Sequence, residues 1–157
     1  MWLELRPLPV APERLARVEI VPAQGRPYIL QRDAADQPWR IATPALAPLS
    51  QATVATAAER LTQLAPIDVQ LAPAIQGTPR ARVRATTFDG VLIDGELIPS
   101  DGKIWLKLVA RPNSPGQEAA ALEINNHASD WAFALSDAEA EAVAPPLVNL
   151  VPGALQQ

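Results

Sequence analysis

The run RARVRATTFDGVLIDGELIPSDGKIWLKLVAR, residues 80–111, restricts the fold more than any other part of the chain. Its three segments alternate apolar and polar side chains, the period of a strand buried on one face. Asp89-Gly90 and Ser100-Asp101-Gly102 separate them, and both are turn formers. A three-stranded antiparallel meander is therefore expected. Arg80, Arg82 and Arg84 share one face of the first segment, Lys103, Lys107 and Arg111 one face of the third, and Asp94 and Glu96 the polar face of the middle one. This arrangement predicts that Asp94 and Glu96 face Arg82, Arg84 or Lys107, each ion pair contributing on the order of a few tenths of a kcal/mol. An anion or polyanion site is the functional alternative for the same basic residues.

The first part of the chain shows the same habit. LARVEIV, PYILQR and WRIATP read as three strands between Leu15 and Thr43, separated by PAQGR and by the Asp- and Pro-rich DAADQP. An amphipathic helix follows, with Ser50 as N-cap, Leu49 placed to staple onto Val54, and Val54, Ala57, Ala58, Leu61, Leu64 and Ala65 at helical spacing before Pro66. Beyond residue 111 the spacing predicts a helix over EAAALEINNHA that buries Ala121, Ile124 and Ala128. A short strand WAFAL comes next, then a helix whose Ser136 and Glu139 have capping-box spacing. The uncharged stretch 142–155 is expected to pack back onto the sheets or to present an apolar strip to a partner.

Trp39 opens the last strand of one half and Trp131 that of the other, and each strand leads to a Ser-capped helix. The fold expected is α+β: a three-stranded antiparallel meander followed by a helix, repeated, as two sheets or one continuous one, with helices packed on one face. The corresponding organisation is an N-terminal spacer (1–14), a first repeat (15–65), a linker with one short extended piece (66–79), a second repeat (80–151) and a tail (152–157). Trp39 and Trp131 should occupy corresponding positions.

A net charge of −4 and a pI near 5.0 argue against a general nucleic-acid binder, since phosphate affinity needs a basic excess on one face. The absence of cysteine excludes disulfides, thiol nucleophiles and Cys-ligated metal. His127 is the only histidine, so a Ser-His-Asp triad or a His-based metal site would have to pass through it. It falls in a last helical turn, where interaction with the dipole is the ordinary role. The carboxylates Asp89, Asp94, Glu96 and Asp101 are scattered by strand geometry, with Asp89 and Asp101 in turns at opposite ends of the middle strand, so they do not form an acid/base pair. No uninterrupted apolar run approaches the roughly 18 residues of a membrane span.

TTFDGVLIDGELIPSDGKIWLKLVA, followed by WAFAL, a helix and LVNLV, with PWRIATP ahead of an Ala/Leu-rich helix, resembles the bacterial domain-of-unknown-function 4340 family, often encoded beside gliding-motility-type ABC-transporter auxiliary proteins. The resemblance runs from about Leu15 to Val151 and rests on Phe88-Asp89-Gly90, Trp105, Trp131 and Trp39 at matching intervals. The chain departs from the family's pattern at Ser136, where Pro is usual, and at Pro145-Pro146.

The resemblance implies a setting in the cell envelope and no catalytic residues. It also implies a membrane anchor upstream of Met1, with Trp2 near the interface and RPLPVAP as a stiff spacer. The function expected is a non-catalytic accessory or interaction domain of an ABC-type transport system, whose partner is a membrane transporter or an auxiliary subunit. The alternative is a small-molecule or glycan binding module using a groove between the halves. Trp39, Phe88, Asp89, Gly90, Trp105, Trp131, Arg82 and Arg84 are the candidate interaction or structural residues, and no cofactor is expected. Elemental analysis and thermal shift against a nucleotide panel test this: no stoichiometric transition metal and no stabilisation by ATP are predicted, and an equivalent of zinc would point to an enzyme.

Overall fold

In a computed structural model, which describes residues 7–152, the alternating runs become strands of one antiparallel sheet. The fold is α+β, with eight strands and three α-helices among the described residues. The first meander comprises β1 (Leu15–Val21), β2 (Tyr28–Gln31) and β3 (Arg40–Thr43), and leads into α1 (Gln51–Glu59). The short strand β4 (Asp68–Leu71) follows. The second meander is β5 (Ala81–Thr87), β6 (Val91–Ser100) and β7 (Lys103–Pro112), succeeded by α2 (Glu118–Ala128), β8 (Trp131–Leu135) and α3 (Asp137–Val143). Across the sheet the order is β3-β2-β1-β5-β6-β7-β8-β4.

The alternation works as the residue types demand. Val18 and Ile20 of β1, Val83 and Ala85 of β5, Val91 and Ile93 of β6, and Leu106 and Leu108 of β7 are all buried, at 3% exposure or less, in one cluster. That cluster also takes in Val54, Ala57 and Ala58 of α1, Ala121, Ile124 and Ala128 of α2, and Ala140 and Val143 of α3. Its material is almost wholly aliphatic, as expected where aromatics are 4% of the chain. The turns use their residues as the type requires: Asp101 and Gly102 both have positive φ (53° and 75°), as does Gly90 (100°), where an added Cβ would overlap the Ser114 side chain.

The caps fall where the sequence puts them. Ser50 accepts from the Thr53 amide (3.1 Å), and Ser136 from the Glu139 amide (3.1 Å). Two finer expectations fail. Leu49 is 57% exposed and makes no staple, because its amide is drawn to the Leu150 carbonyl (2.7 Å). Glu139 does not reach back to its own cap; its carboxylate accepts the Ala65 amide (2.8 Å) and ties the end of the first helical segment to α3. As far as residue 152, where the described residues end, the uncharged stretch packs back, with Leu147, Leu150 and Val151 buried in the main cluster.

The halves differ as well. A three-strand meander followed by a helix occurs twice, but the segment expected to be a linker supplies β4, which crosses to the far edge and pairs with β8 (Val69 opposite Phe133, Leu71 opposite Trp131). In the second half, the strand after the helix lies beside its own meander, since β8 pairs with β7. Trp39 and Trp131 are therefore not equivalent: the first is 2% exposed beside the edge strand β3, the second 40% exposed within the β7-β8-β4 side of the sheet. Because β8 pairs only with residues 104–107, the outer side of β7 further along needs another partner. Asn125 of α2 provides it, its side-chain amide accepting from the Ala110 N–H (2.7 Å) and donating to the Ala110 carbonyl (2.9 Å).

Tyr28 ties the segment after α3 to the sheet. Its ring is 1% exposed and its hydroxyl donates to the Pro145 carbonyl (2.5 Å). Burial pushes the phenol's pKa up, because the phenolate would lose its hydration. The folded pKa lies above the unfolded value, so Tyr28 contributes stability that is complete below about pH 10 and is lost as pH rises beyond it. Tyr28 is the only tyrosine, so an alkaline absorbance titration reads it alone. The phenolate band is expected to appear only together with unfolding; a band rising near pH 10 in folded protein would show that the ring is solvated.

Candidate functional site

The face of the sheet opposite the main cluster carries the charges. Arg17 and Glu19 of β1, Arg82 and Arg84 of β5, Asp94 and Glu96 of β6, and Lys103, Lys107 and Arg111 of β7 alternate with the buried residues of their strands. Registration places them side by side, with Glu19 opposite Arg84, Arg84 opposite Asp94, Arg82 opposite Glu96, and Glu96 opposite Lys107. Arg84 Nε donates to Asp94 Oδ1 (2.8 Å), and Asp94 Oδ2 lies 3.1 Å from Arg111. Arg82 pairs with Glu96 (3.5 Å) and Arg17 with Glu19 (3.1 Å). The hydrogen bond to Asp94, reinforced by that carboxylate's charge, holds the Arg84 guanidinium protonated beyond its ordinary range. Lys107 takes no carboxylate and donates instead to the Ile75 carbonyl (2.9 Å).

These four strands thus put six basic and three acidic side chains on the open face, leaving seven basic and fourteen acidic for the rest of the chain. An acidic protein presents a basic sheet face, whose arginines are 44–63% exposed. One corner is covered: Ile75 packs with Ile98, Trp105, Ala132 and Ala134 in a small second cluster. Trp105 belongs to it, donating to the Ser100 carbonyl (3.2 Å) with the Lys103 ammonium 5.8 Å from its ring centre.

Trp39, Phe88, Asp89 and Gly90 meet at another place, around a residue that sequence reasoning missed. Arg32 is 6% exposed, with its guanidinium carbon 4.5 Å from the centre of the Trp39 ring and 5.9 Å from that of Phe88. Three backbone carbonyls receive its N–H groups: Leu15 (2.9 Å), Ala35 (3.2 Å) and Pro12 (2.7 Å). Trp39 Nε1 donates in turn to Glu59 of α1 (3.1 Å). Next to this knot Asp89 pairs with Arg14 (3.0 Å). The Thr87 hydroxyl, then the Arg14 charge, holds the Asp89 carboxyl below the usual carboxylate range. Gly90 keeps the turn tight. An arginine after a strand and before an Asp-rich turn carries no signal of burial, because its partners lie at residues 12, 15, 35, 39 and 88.

A cavity of about 440 Å³ opens between the halves. The β1–β2 turn (Gln24) and Arg80 form one side, Asp137 and Glu141 of α3 the other, and Leu97 and Ile104 line its sheet side. No aromatic side chain lines it. Trp131, 40% exposed, lies elsewhere, beside Leu71, 57% exposed. Among the described residues, no group of three or more His, Cys, Asp or Glu side chains converges as a metal site would require, and no helix is long and apolar enough to cross a membrane.

Compared with protein families, curated proteins and solved structures, the chain matches none. Arg32→Ala removes three charge-assisted hydrogen bonds and two ring contacts, so a loss of about 3 kcal/mol is expected in urea denaturation. Arg32→Lys should recover little, since an ammonium cannot span the three carbonyls. A loss below about 1 kcal/mol for Arg32→Ala would show the knot to be solvated.

Proposed function

We propose that this chain is a non-catalytic interaction domain of the cell envelope, working beside an ABC-type transporter and held there by a membrane tether. The basic surplus on the open sheet face is the observation that carries the interaction reading; the family resemblance supplies the setting. Because all three helices contribute to one cluster, we read them as a layer on one side of the sheet, which leaves the other side for a partner. Five of the six basic groups on that face pair with a carboxylate, counting Lys103 with Asp68, and the sixth bonds a carbonyl. Such interleaving suits the mixed charge pattern of an acidic protein surface better than a uniform row of phosphates. Tethering would raise the local concentration enough for a weak contact of this kind to act.

The cavity between the halves favours a second reading, a small-molecule module, since about 440 Å³ lies within the range of ligand sites. It ranks second because no aromatic side chain lines it.

The test places a photo-crosslinking residue at Thr86, on the open face between Arg84 and the β5–β6 turn, in cells that also make the transporter. A crosslink to a transporter subunit is expected. It should disappear when Arg82 and Arg84 are both changed to Glu, with the thermal midpoint moved by no more than a few degrees, since exposed ion pairs are weak. A crosslink that survives the charge reversal, or none to any membrane protein, would overturn the proposal.

A further inference from the structure

Each end of the sheet leaves a strand with one unpaired side, and the chain treats the two differently. At the β3 end the chain folds back, and Leu46 bridges to Ile41, covering part of that edge with its own backbone. At the β4 end no other described strand lies beyond the edge. The Ala72 amide donates to the Asp130 carbonyl (2.8 Å), in step with the β4–β8 register. Residues 68, 70 and 72 therefore turn their backbone groups toward β8, and Val69 and Leu71 turn theirs outward.

One of these outward groups is occupied by the chain itself. The Val69 N–H donates to the Asp68 carboxylate (2.8 Å), whose second oxygen receives Lys103 Nζ (3.3 Å). A side-chain carboxylate thus sits where the backbone of a neighbouring strand would bond. The residues flanking it invite such a strand. Val69 is packed against the main cluster, while Leu71 is 57% and Trp131 40% exposed on the same side of the sheet.

The short sequence is also complementary to itself. A twofold axis through Gln70 sets Val69 of one copy opposite Leu71 of the other, on the apolar side. Gln70 meets Gln70, and Asp68 meets Ala72 rather than a like charge. We propose that β4 is a self-docking edge kept shut by Asp68, and that two copies join β4 to β4 when the carboxylate releases the Val69 amide. The inference goes beyond the interaction reading, since it uses the edge and not the open face and survives if that reading fails.

The chain has no cysteine, so one introduced thiol reports the contact without background. In the proposed register residue 70 and its copy form a non-hydrogen-bonded pair with Cα atoms about 4.5 Å apart, within disulfide reach. Gln70→Cys is expected to form a disulfide dimer under mild oxidation several-fold faster than Asp36→Cys, an exposed loop control. Adding Asp68→Ala should accelerate it further, and adding Val69→Pro, which deletes an outward N–H without touching the β8 ladder, should abolish the advantage. Should Asp68→Ala lose its far-UV signature, Asp68→Asn, of the same shape but uncharged and so a weaker acceptor for the Val69 amide, carries the same expectation in weaker form. Crosslinking at residue 70 no faster than at residue 36, or a rate that Val69→Pro leaves unchanged, would overturn the proposal, whatever other protein takes the edge.

Discussion

The pairing of β1 with β5 holds this molecule together. Each meander alone is a three-stranded sheet with one apolar face, too small to exclude water from that face. Laid side by side, with Val18 opposite Ala85 and Ile20 opposite Val83, they become one broad surface on which a single cluster forms. The second link is β4, which leaves the first half to complete the far edge against β8. Backbone hydrogen bonds therefore join the halves along two strand pairs, and again where the Leu49 amide meets the Leu150 carbonyl, and neither half has a complete set of partners without the other.

The remaining features follow from that sheet. Burial on one face pushes every ionisable side chain of β5, β6 and β7 to the other, and antiparallel registration sets acids beside bases there. Where the sheet runs out, side chains replace strands: Asn125 bonds Ala110 beyond the end of β8, and Asp68 occupies the outward amide of β4. At the start of β1 a buried guanidinium gathers carbonyls from residues 12, 15 and 35 between two aromatic rings, fixing how the chain enters the sheet. A charge so enclosed is tolerable because hydrogen bonds and ring faces replace its water.

Much of this could be read from residues alone, and the exceptions share a cause. The second meander, its two Asp-Gly turns, the ion pairs of Asp94 and Glu96, the Ser50 and Ser136 caps and the buried stripe of α2 all depend on neighbours a few residues apart or across a tight turn. The missed features depend on distant partners. Asp68–Leu71 alternates polar and apolar residues, but it is only four residues long and enclosed by Pro66 and Pro73, so nothing local indicates that it pairs with residues 131–134. Arg32 is buried by groups from four segments. Trp39 and Trp131 look alike in sequence because each precedes a short strand, but one strand ends the sheet and the other lies inside it. Leu49 and Glu139 likewise have local cap spacing, and long-range hydrogen bonds to Leu150 and Ala65 override it.

The interlocking of the halves is open to one direct measurement: severing the chain between residues 79 and 80 and following each piece, alone and mixed, by circular dichroism and urea unfolding. Separately, the 1–79 piece lacks β5 and β8 as partners for β1 and β4, and the 80–157 piece has no β1 to cover β5. Neither should show a cooperative transition by itself, and equimolar mixing should restore one. A cooperative transition in either isolated piece would contradict the account, because it would mean that each half closes its own core.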